Sequence, residues 1–377
     1  MHCIICNEAR GDIISMETVD RIRFELDGVG LTEAIHSCPT CGYTCLHPGI
    51  PASTLEAYYT NQSRWPSETI AHREQAELIH RYMRENQIPK VMDIGAYDGR
   101  FLREMARIGA SELYGVEPDM SIEPDYYRFE TIELALAHLR PNSIDILSMG
   151  HVFEHLQDPF RVLEQVKELL VPGGLLLVEV PNLEDPQVQI VPYWTPFHHS
   201  YFTPTTLSYI LEVAGFQMQA QALTGYRSVR MLARNFSNPV PNWDQAPPSF
   251  YARAGIDQYL LEREIFLDDL ARRLGALQSD KLAIFGTGDH TYWLLNEFPG
   301  LLESTVCFLN SDTTKQGYWL DRGPVFSPED CPDEVDTIIC SSYDSQDEMA
   351  QAVGKRAFLL YDDVRAYDVW MGEENGV

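Results

Sequence analysis

Residues 91–102 read Val91-Met92-Asp93-Ile94-Gly95-Ala96-Tyr97-Asp98-Gly99-Arg100-Phe101-Leu102, and this stretch decides the fold. The apolar run at its start predicts a strand, the two glycines predict a tight turn, and the residues after them predict a helix. Gly95 lets the backbone turn and approach a ligand, and Gly99 lets the helix start close to the sheet. A strand, a glycine-rich turn and a helix in this order are the context that a nucleotide-binding turn requires.

The alternation of strand and helix continues on the C-terminal side of this turn. Strands are predicted over residues 90–94, 112–117, 144–149, 174–180, 216–223 and 229–234, and helices over residues 100–108, 132–139, 160–170 and 205–213. Such alternation indicates an α/β fold with a mostly parallel sheet that helices cover on both faces. Gly225-Tyr226 predicts a hairpin turn between the last two strands, and therefore an antiparallel edge.

The composition narrows the class of partner. The 377 residues contain 56 Asp and Glu against 28 Lys and Arg, a formal net charge of −28. So acidic a surface disfavours binding to nucleic acids and to anionic membranes, because both are negatively charged and attract basic proteins. No apolar run approaches the ~20 residues that span a bilayer. Met1-His2-Cys3 begins neither a basic nor an apolar leader, so we expect no signal peptide and a cytoplasmic protein that acts on a small molecule.

A carboxylate at the next strand's end indicates which ligand the turn binds. Glu117, in Tyr114-Gly115-Val116-Glu117-Pro118, lies about 20 residues after the glycines, where it can accept both hydroxyls of a ribose. Asp93 and Asp98 lie within the turn and would repel a pyrophosphate. They suit a cationic ligand that carries an ammonium and a sulfonium, such as S-adenosylmethionine. The alternative for Asp98 is that it only caps the helix.

Several stretches resemble the successive motifs of class I S-adenosylmethionine-dependent methyltransferases. They are residues 93–102, Gly115-Val116-Glu117-Pro118, Val152-Phe153-Glu154-His155-Leu156-Gln157-Asp158-Pro159, Leu169-Leu170-Val171-Pro172-Gly173-Gly174 and His199-Ser200-Tyr201-Phe202-Thr203. With this resemblance we predict a cofactor site lined by Asp93, Gly95, Ala96, Tyr97, Gly99, Glu117, Pro118, Gly150 and His151.

The whole chain resembles a three-part subfamily of these enzymes, which includes C-methyltransferases that act on nucleotide-linked ketosugars. The resemblance implies a small N-terminal zinc module, a methyltransferase core and a C-terminal Rossmann-like domain. In the sugar C-methyltransferases a Glu-His pair precedes the Ser-Tyr-Phe run. This chain has His198-His199 there, so the histidine carries over to His199 and the glutamate does not.

Two matched cysteine pairs predict a metal site. Cys3 and Cys6 form one C-x-x-C pair, and Cys38 and Cys41 form a second pair that Gly42 follows. Four thiolates at this spacing give a closed tetrahedral Zn²⁺ site with a structural role. We therefore expect reduced thiols and zinc rather than disulfides.

Histidines are the candidate general bases, because a neutral imidazole can accept a proton near pH 7. His199 is the first choice and His198 the second, since both follow the core strand predicted over residues 174–180. His155 is a third candidate and is predicted to begin the helix after the strand over residues 144–149. Alternatively, His155 only caps or orients a loop and His198 is exposed to solvent.

The domain boundaries follow from these features. We predict a zinc-binding β-hairpin module over residues 1–50, a helical lid or linker over 51–89, the S-adenosylmethionine-binding core over 90–235, a linker and long helix over 236–275, and the C-terminal domain over 276–377. Three other functions stay open: O- or N-methylation of a natural product or sugar, an NAD-type oxidoreductase that uses Gly286-Thr287-Gly288, and a non-catalytic scaffold.

Overall fold

The computed structural model describes residues 3, 14–15, 22–26, 29–38, 40–47, 69–85, 87–119, 124–186, 188–190, 193–194, 198–224, 227–236, 250–277, 280–319, 322–343 and 345–361. The chain divides into two compact units. Residues 1–186 and 194–257 form the first unit, and residues 187–193 and 258–377 form the second.

The first unit contains twelve described strands and most of the described helices. The strands are β1 (Ile14–Ser15), β2 (Ile22–Leu26), β3 (Val29–Ser37), β4 (Thr44–His47), β5 (Lys90–Ile94), β6 (Glu112–Val116), β7 (Tyr127–Phe129), β8 (Ile144–Gly150), β9 (Leu170–Pro181), β10 (Ser200–Tyr201), β11 (Phe216–Leu223) and β12 (Ser228–Asn235). The helices are α1 (Thr69–Tyr82), α2 (Arg100–Arg107), α3 (Ile132–His138), α4 (Pro159–Leu169), α5 (Pro204–Val213) and the first residues of α6 (Phe250–Gly275).

Seven strands form the main sheet, in the order β11-β12-β9-β8-β5-β6-β7. Neighbours from β9 to β7 are parallel, whereas β12 runs antiparallel to both β9 and β11, as the hairpin prediction required. The chain runs from β5 outward to β7 and returns to β8 on the other side of β5. This reversal opens a crevice at the carboxyl ends of β5 and β8, the usual ligand position in such sheets.

Both faces of this sheet are buried, which explains why its strands are nearly continuous apolar runs. Met92 and Leu147 belong to the core on one face, and their neighbours Val91 and Ile146 belong to the core on the other. Full burial of one such side chain stabilises the fold by about 1.5–3 kcal/mol. The central strands are therefore held firmly, and the residues that follow them have well-defined positions.

The N-terminal strands form a larger sheet than the predicted hairpin. β3 pairs antiparallel with β1, β2 and β4, and β4 pairs antiparallel with β10. The register joins Thr44 to Tyr201 and Cys45 to Ser200. A strand from the middle of the chain thus completes the N-terminal sheet.

The second unit is another α/β structure. Its strands are β13 (Leu282–Phe285), β14 (Thr305–Leu309), β15 (Gly317–Trp319), β16 (Gly323–Phe326), β17 (Thr337–Cys340) and β18 (Ala357–Leu359), and its further helices are α7 (Asp289–Glu297), α8 (Leu301–Ser304) and α9 (Gln346–Val353). The sheet order is β15-β16-β14-β13-β17-β18, with only the β15–β16 pair antiparallel. In the part of the chain described, no helix is both long and apolar enough to cross a bilayer.

Candidate active site

The turn between β5 and α2 has the geometry that its glycines predict. Gly95 and Gly99 have φ values of 78° and 81°, in the left-handed region that favours glycine. A Cβ atom on Gly95 would overlap Cγ2 of Val152, so no larger residue fits there without a shift. The amides of Gly95 and Ala96 donate to the carbonyl oxygen of Val116, at 2.8 and 3.2 Å. The turn is therefore fixed against the end of β6.

Glu117 is held directly beside this turn. The amide of Tyr97 donates to its Oε2 and the amide of Asp119 donates to its Oε1, both at 2.8 Å. Burial raises the pKa of the Glu117 carboxyl, although these two amide donors lower it. The side chain is thus fixed at the carboxyl end of β6, with Pro118 next in the chain.

Asp93 is buried in β5, one residue before the strand ends at Ile94. The Ser148 hydroxyl of β8 donates a hydrogen bond to its Oδ1. Burial raises the pKa of Asp93 to about 7; the Ser148 hydrogen bond opposes the rise and the nearby charge of Glu117 adds to it. Asp93 can therefore exchange a proton near neutral pH.

Asp98 has a different environment from the one that its place in the turn predicted. Its carboxylate lies 2.9 Å from Nε of Arg100 and 3.6 Å from a terminal guanidinium nitrogen of Arg103. The residue that precedes α2 is Gly99, and no side chain caps the helix. The capping alternative for Asp98 is therefore wrong, whereas its contact with a cationic ligand stays a prediction, with two arginines beside its carboxylate. Of the two carboxylates, that of Asp93 has no cationic partner among the described residues.

Gly150 ends β8, and His151 follows with a φ of 53°. The His151 amide donates to the Glu179 carbonyl oxygen at 2.8 Å. Its Nδ1 lies 3.4 Å from Oε1 of Glu154, and its Nε2 lies 4.0 Å from Oε1 of Glu179. Burial disfavours the charged ring, but these two carboxylates outweigh it and raise the pKa of His151. The ring is still 48% exposed and is therefore accessible to solvent.

A buried polar network supports this end of the sheet, and sequence reasoning missed it. Oε2 of Glu179 accepts hydrogen bonds from Nε2 of Gln75 at 2.8 Å and from Nε of Arg230 at 2.6 Å. The register places Glu179 between Gly150 on β8 and Arg230 on β12. The available signal was Glu179 inside the apolar run of β9, together with Arg230 between Val229 and Met231 on β12.

The structure brings together the candidate bases His155, His198 and His199. His155 does not begin a helix as predicted; it ends a short 3₁₀ turn, Phe153–His155, and α4 starts only at Pro159. The rings of His155 and His198 meet edge to face with centroids 4.7 Å apart. Burial lowers the pKa of His198 to about 3, with a further contribution from His155. Burial and His155 also lower the pKa of His199.

Glu154 lies in the same cluster, 1% exposed. Its Oε1 is 3.4 Å from Nδ1 of His151 and 3.9 Å from Nε2 of His155. Burial alone would raise its pKa, but the surrounding histidines outweigh burial and lower the pKa of Glu154 to about 2. A carboxylate therefore does lie near His198, but it is that of Glu154 in the 3₁₀ turn and not that of a glutamate next to the histidine in the sequence.

The histidine segment is tied to the N-terminal sheet. The Leu46 amide donates to the His199 carbonyl oxygen at 3.0 Å. The hydroxyls of Tyr43 and Ser200 are hydrogen-bonded at 2.6 Å, in a buried position. The backbone of His199 is thus positioned by strand β4.

Two members of the cysteine cluster, Cys38 and Cys41, lie between β3 and β4. The sulfurs of Cys3, Cys38 and Cys41 come within 4.8 Å of one another, and those of Cys3 and Cys41 are 3.5 Å apart. A tetrahedral zinc with Zn–S bonds of about 2.3 Å requires sulfurs about 3.8 Å apart, so these three thiols fit a zinc ion. The predicted fourth ligand, Cys6, lies outside the described residues.

Residues at and after the glycine-rich turn of the second unit form hydrogen bonds within that unit. The Thr291 hydroxyl bonds the Gly286 carbonyl oxygen and the Ser341 hydroxyl, at 3.0 and 2.8 Å. His290 bridges the hydroxyls of Ser341 and Tyr361, at 3.0 and 2.7 Å. Ligand binding by Gly286-Thr287-Gly288 stays a prediction.

Comparisons with known proteins address the enzyme class. A family model described as a methyltransferase domain matches residues 68–221. The ubiquinone biosynthesis O-methyltransferase of Xanthomonas campestris pv. campestris is 25% identical over 179 residues, which cover 41% of this chain and 73% of that protein. The corresponding protein of Xylella fastidiosa is 25% identical over 170 residues, covering 38% of this chain and 68% of that protein.

Solved structures show a weaker likeness. The 1,6-didemethyltoxoflavin-N1-methyltransferase of Burkholderia thailandensis, solved with S-adenosylhomocysteine, is 15% identical, covers 57% of this chain and 99% of its own, and has a TM-score of 0.39. An S-adenosylmethionine-dependent methyltransferase of Archaeoglobus fulgidus is 19% identical, covers 45% of this chain and 95% of its own, and has a TM-score of 0.36.

The protein is an S-adenosylmethionine-dependent methyltransferase with a class I, Rossmann-like α/β core. The family match includes the β5–α2 turn, Glu117 and the Glu154-His155 pair. The predicted enzyme class and the predicted core fold are confirmed.

Proposed function

We propose that this enzyme methylates a small molecule in the crevice at the carboxyl ends of β5, β6 and β8, with His199 as the proton acceptor. When bound, S-adenosylmethionine supplies a methyl group on a positively charged sulfur. Asp93 would face the cationic methionine part of the cofactor, in the pocket that Gly95, Ala96, Tyr97 and Gly99 shape. Glu117 would accept the ribose hydroxyls beside Pro118, and Gly150 and His151 would line the same crevice.

One observation carries the assignment of the cofactor site. The Glu117 carboxylate is buried at the end of β6 and fixed by two backbone amides, one of which is Tyr97 of the glycine turn. A fixed, buried carboxylate 20 residues beyond such a turn suits a ribose diol, since its remaining lone pairs can each accept a hydroxyl. Its position needs no rearrangement on binding.

The proposal for His199 rests on its buried ring nitrogen. Nε2 of His199 is buried and, among the described residues, has no hydrogen-bond partner. In the proposed step this nitrogen would take the proton of the acceptor, which frees an electron pair on the acceptor for the methyl group that the cofactor would supply. The protein's main contribution is alignment of the acceptor and the methyl group.

The favoured acceptor is the carbon next to the ketone of a nucleotide-linked sugar, as the three-part resemblance implies. The second candidate is a hydroxyl oxygen, because the curated relatives that match are O-methyltransferases by name. Incubation with methyl-¹³C-labelled cofactor and panels of ketosugar nucleotides and phenols tests both, since NMR distinguishes a C–CH₃ from an O–CH₃ product. Label in neither panel would contradict both acceptors.

Replacement of His199 tests the proton acceptor. We expect His199→Asn to lower kcat by ~10²–10⁴ while affinity for S-adenosylhomocysteine is unchanged. His80→Asn, on the exposed side of α1, is the matched control and should keep wild-type activity. Wild-type turnover in His199→Asn would reject His199 as the base.

We further propose that Cys3, Cys6, Cys38 and Cys41 bind a structural zinc. The mutual distances of the three described sulfurs support it. The reducing cytoplasm, which the sequence predicts as the location, would keep these thiols available to the metal.

A further inference from the structure

A second group of metal-ligating side chains lies outside the cysteine cluster. Ligand atoms of Glu154, His155 and His198 come within 4.8 Å of one another. The first two belong to the 3₁₀ turn after β8, and His198 lies just before β10. Two segments of the fold, 43 positions apart, thus converge on one point.

Several of these atoms lack hydrogen bonds that their burial demands. Neither oxygen of Glu154 accepts a hydrogen bond, and Nδ1 of His198 has no hydrogen-bond partner either, within the residues that the structure describes. Burial of an ionised carboxylate without hydrogen bonds is costly. The ion pair with His151, at 3.4 Å from Oε1, compensates only part of this charge, and Oε2 has no hydrogen-bond partner within the described residues. A cation bound between the three side chains would satisfy all of these atoms together.

We propose that Glu154, His155 and His198 bind one divalent first-row transition-metal cation at the edge of the methyl-transfer crevice. Two imidazoles and one carboxylate are a common ligand set for such ions and leave coordination positions open. These positions would take an oxygen of the acceptor: an enolate oxygen beside a methylated carbon, or the methylated hydroxyl itself. The cation would then stabilise the negative charge that appears when the acceptor loses its proton.

The role in catalysis rests on the proposed function, whereas binding of the cation does not. The test is therefore made without cofactor or acceptor. Mn²⁺ is the probe, because it prefers nitrogen and oxygen ligands and binds poorly to the thiolates of the cysteine cluster. The electron paramagnetic resonance signal of free Mn²⁺ measures the bound fraction during titration of the full chain.

We expect about one saturable Mn²⁺ site per chain, weakened about 10-fold or more in Glu154→Gln and His198→Asn. His155→Asn is a further variant at a less buried position, for the case that Glu154→Gln does not fold. Binding of S-adenosylhomocysteine in each variant reports an intact core.

Two substitutions on α3 serve as controls, Glu133→Gln and His138→Asn, since both side chains are exposed and distant in sequence from the cluster. They should leave Mn²⁺ affinity unchanged. Wild-type protein without saturable binding would overturn the proposal. Equal affinity in the wild type and in folded variants of the three ligands would overturn it too. Either result leaves the test of His199 intact, because that test measures turnover.

Discussion

Asp93 should make cofactor affinity depend on pH. Its pKa of about 7 means that the carboxyl is about 9% ionised at pH 6 and about 91% ionised at pH 8. If the cationic ammonium of the ligand binds only the ionised form, affinity rises about 10-fold between these pH values, or ~1.4 kcal/mol. Glu117, the proposed ribose ligand, shares this region, so the comparison needs a variant that changes Asp93 alone.

Asp93→Asn is that variant, because its amide oxygen can still accept the Ser148 hydrogen bond. Calorimetric titration with S-adenosylhomocysteine at pH 6, 7 and 8, at constant ionic strength, gives the affinities. The wild type should gain affinity as pH rises, and Asp93→Asn should show little change. At pH 7, binding to the wild type should release about half a proton, which titrations in buffers of different ionisation enthalpy detect.

An equal pH dependence in both proteins would refute the assignment of Asp93 to the cationic end of the cofactor, as would a flat wild-type profile.

The free energy of unfolding without cofactor should depend on pH in the opposite direction. A carboxyl whose pKa is raised by folding binds more protons in the folded state, so stability falls as pH rises from about 3.8 to about 7. In Asp93→Asn the part of this decrease in stability that is due to Asp93 should be absent. Thermal unfolding across the same pH range measures it.

Two further predictions concern Glu117 and the cysteine cluster. Glu117→Gln should weaken the binding of S-adenosylhomocysteine by ~1.5–3 kcal/mol in the same calorimetric assay. The reason is that one carboxylate oxygen, which accepts the amide of Tyr97 or of Asp119, is replaced by an NH₂ group that donates. Unchanged affinity would exclude a contact between Glu117 and the cofactor. Cys38→Ser combined with Cys41→Ser should leave less than one zinc per chain by elemental analysis, and full zinc content would reject the cysteine site.

Much of the main sheet could be predicted from sequence, because burial on both faces makes its strands apolar runs. β5 and β11 have the predicted bounds, and the turn at Gly95 and Gly99 follows from the same pattern. The strand β7 was missed because three residues carry too little periodicity. The short strands β15 and β16 of the second unit, three and four residues long, were missed for the same reason.

The sequence proposes candidate site residues one by one, but it does not give their arrangement. Position in the turn could not reveal that Arg100 and Arg103 neutralise Asp98, because side-chain reach decides that pairing. Nor could sequence show that Glu154 and His198 converge, since their distance depends on the path between β9 and β10. Polar residues inside apolar runs, such as Glu179 and Arg230, were the available signal for the buried network.

The pairing of β4 with β10 has a consequence for the order of events during synthesis. Tyr43 and its partner Ser200 are 157 positions apart, so β4 leaves the ribosome long before its partner strand exists. At about 5–20 residues per second, translation of the intervening chain takes roughly 8–30 s. Cys3, Cys38 and Cys41 are all made before that interval begins. The thiols are therefore available to a metal ion or an oxidant while the histidine segment is still untranslated, so the proposed zinc would depend on the metal that the cell supplies during those seconds.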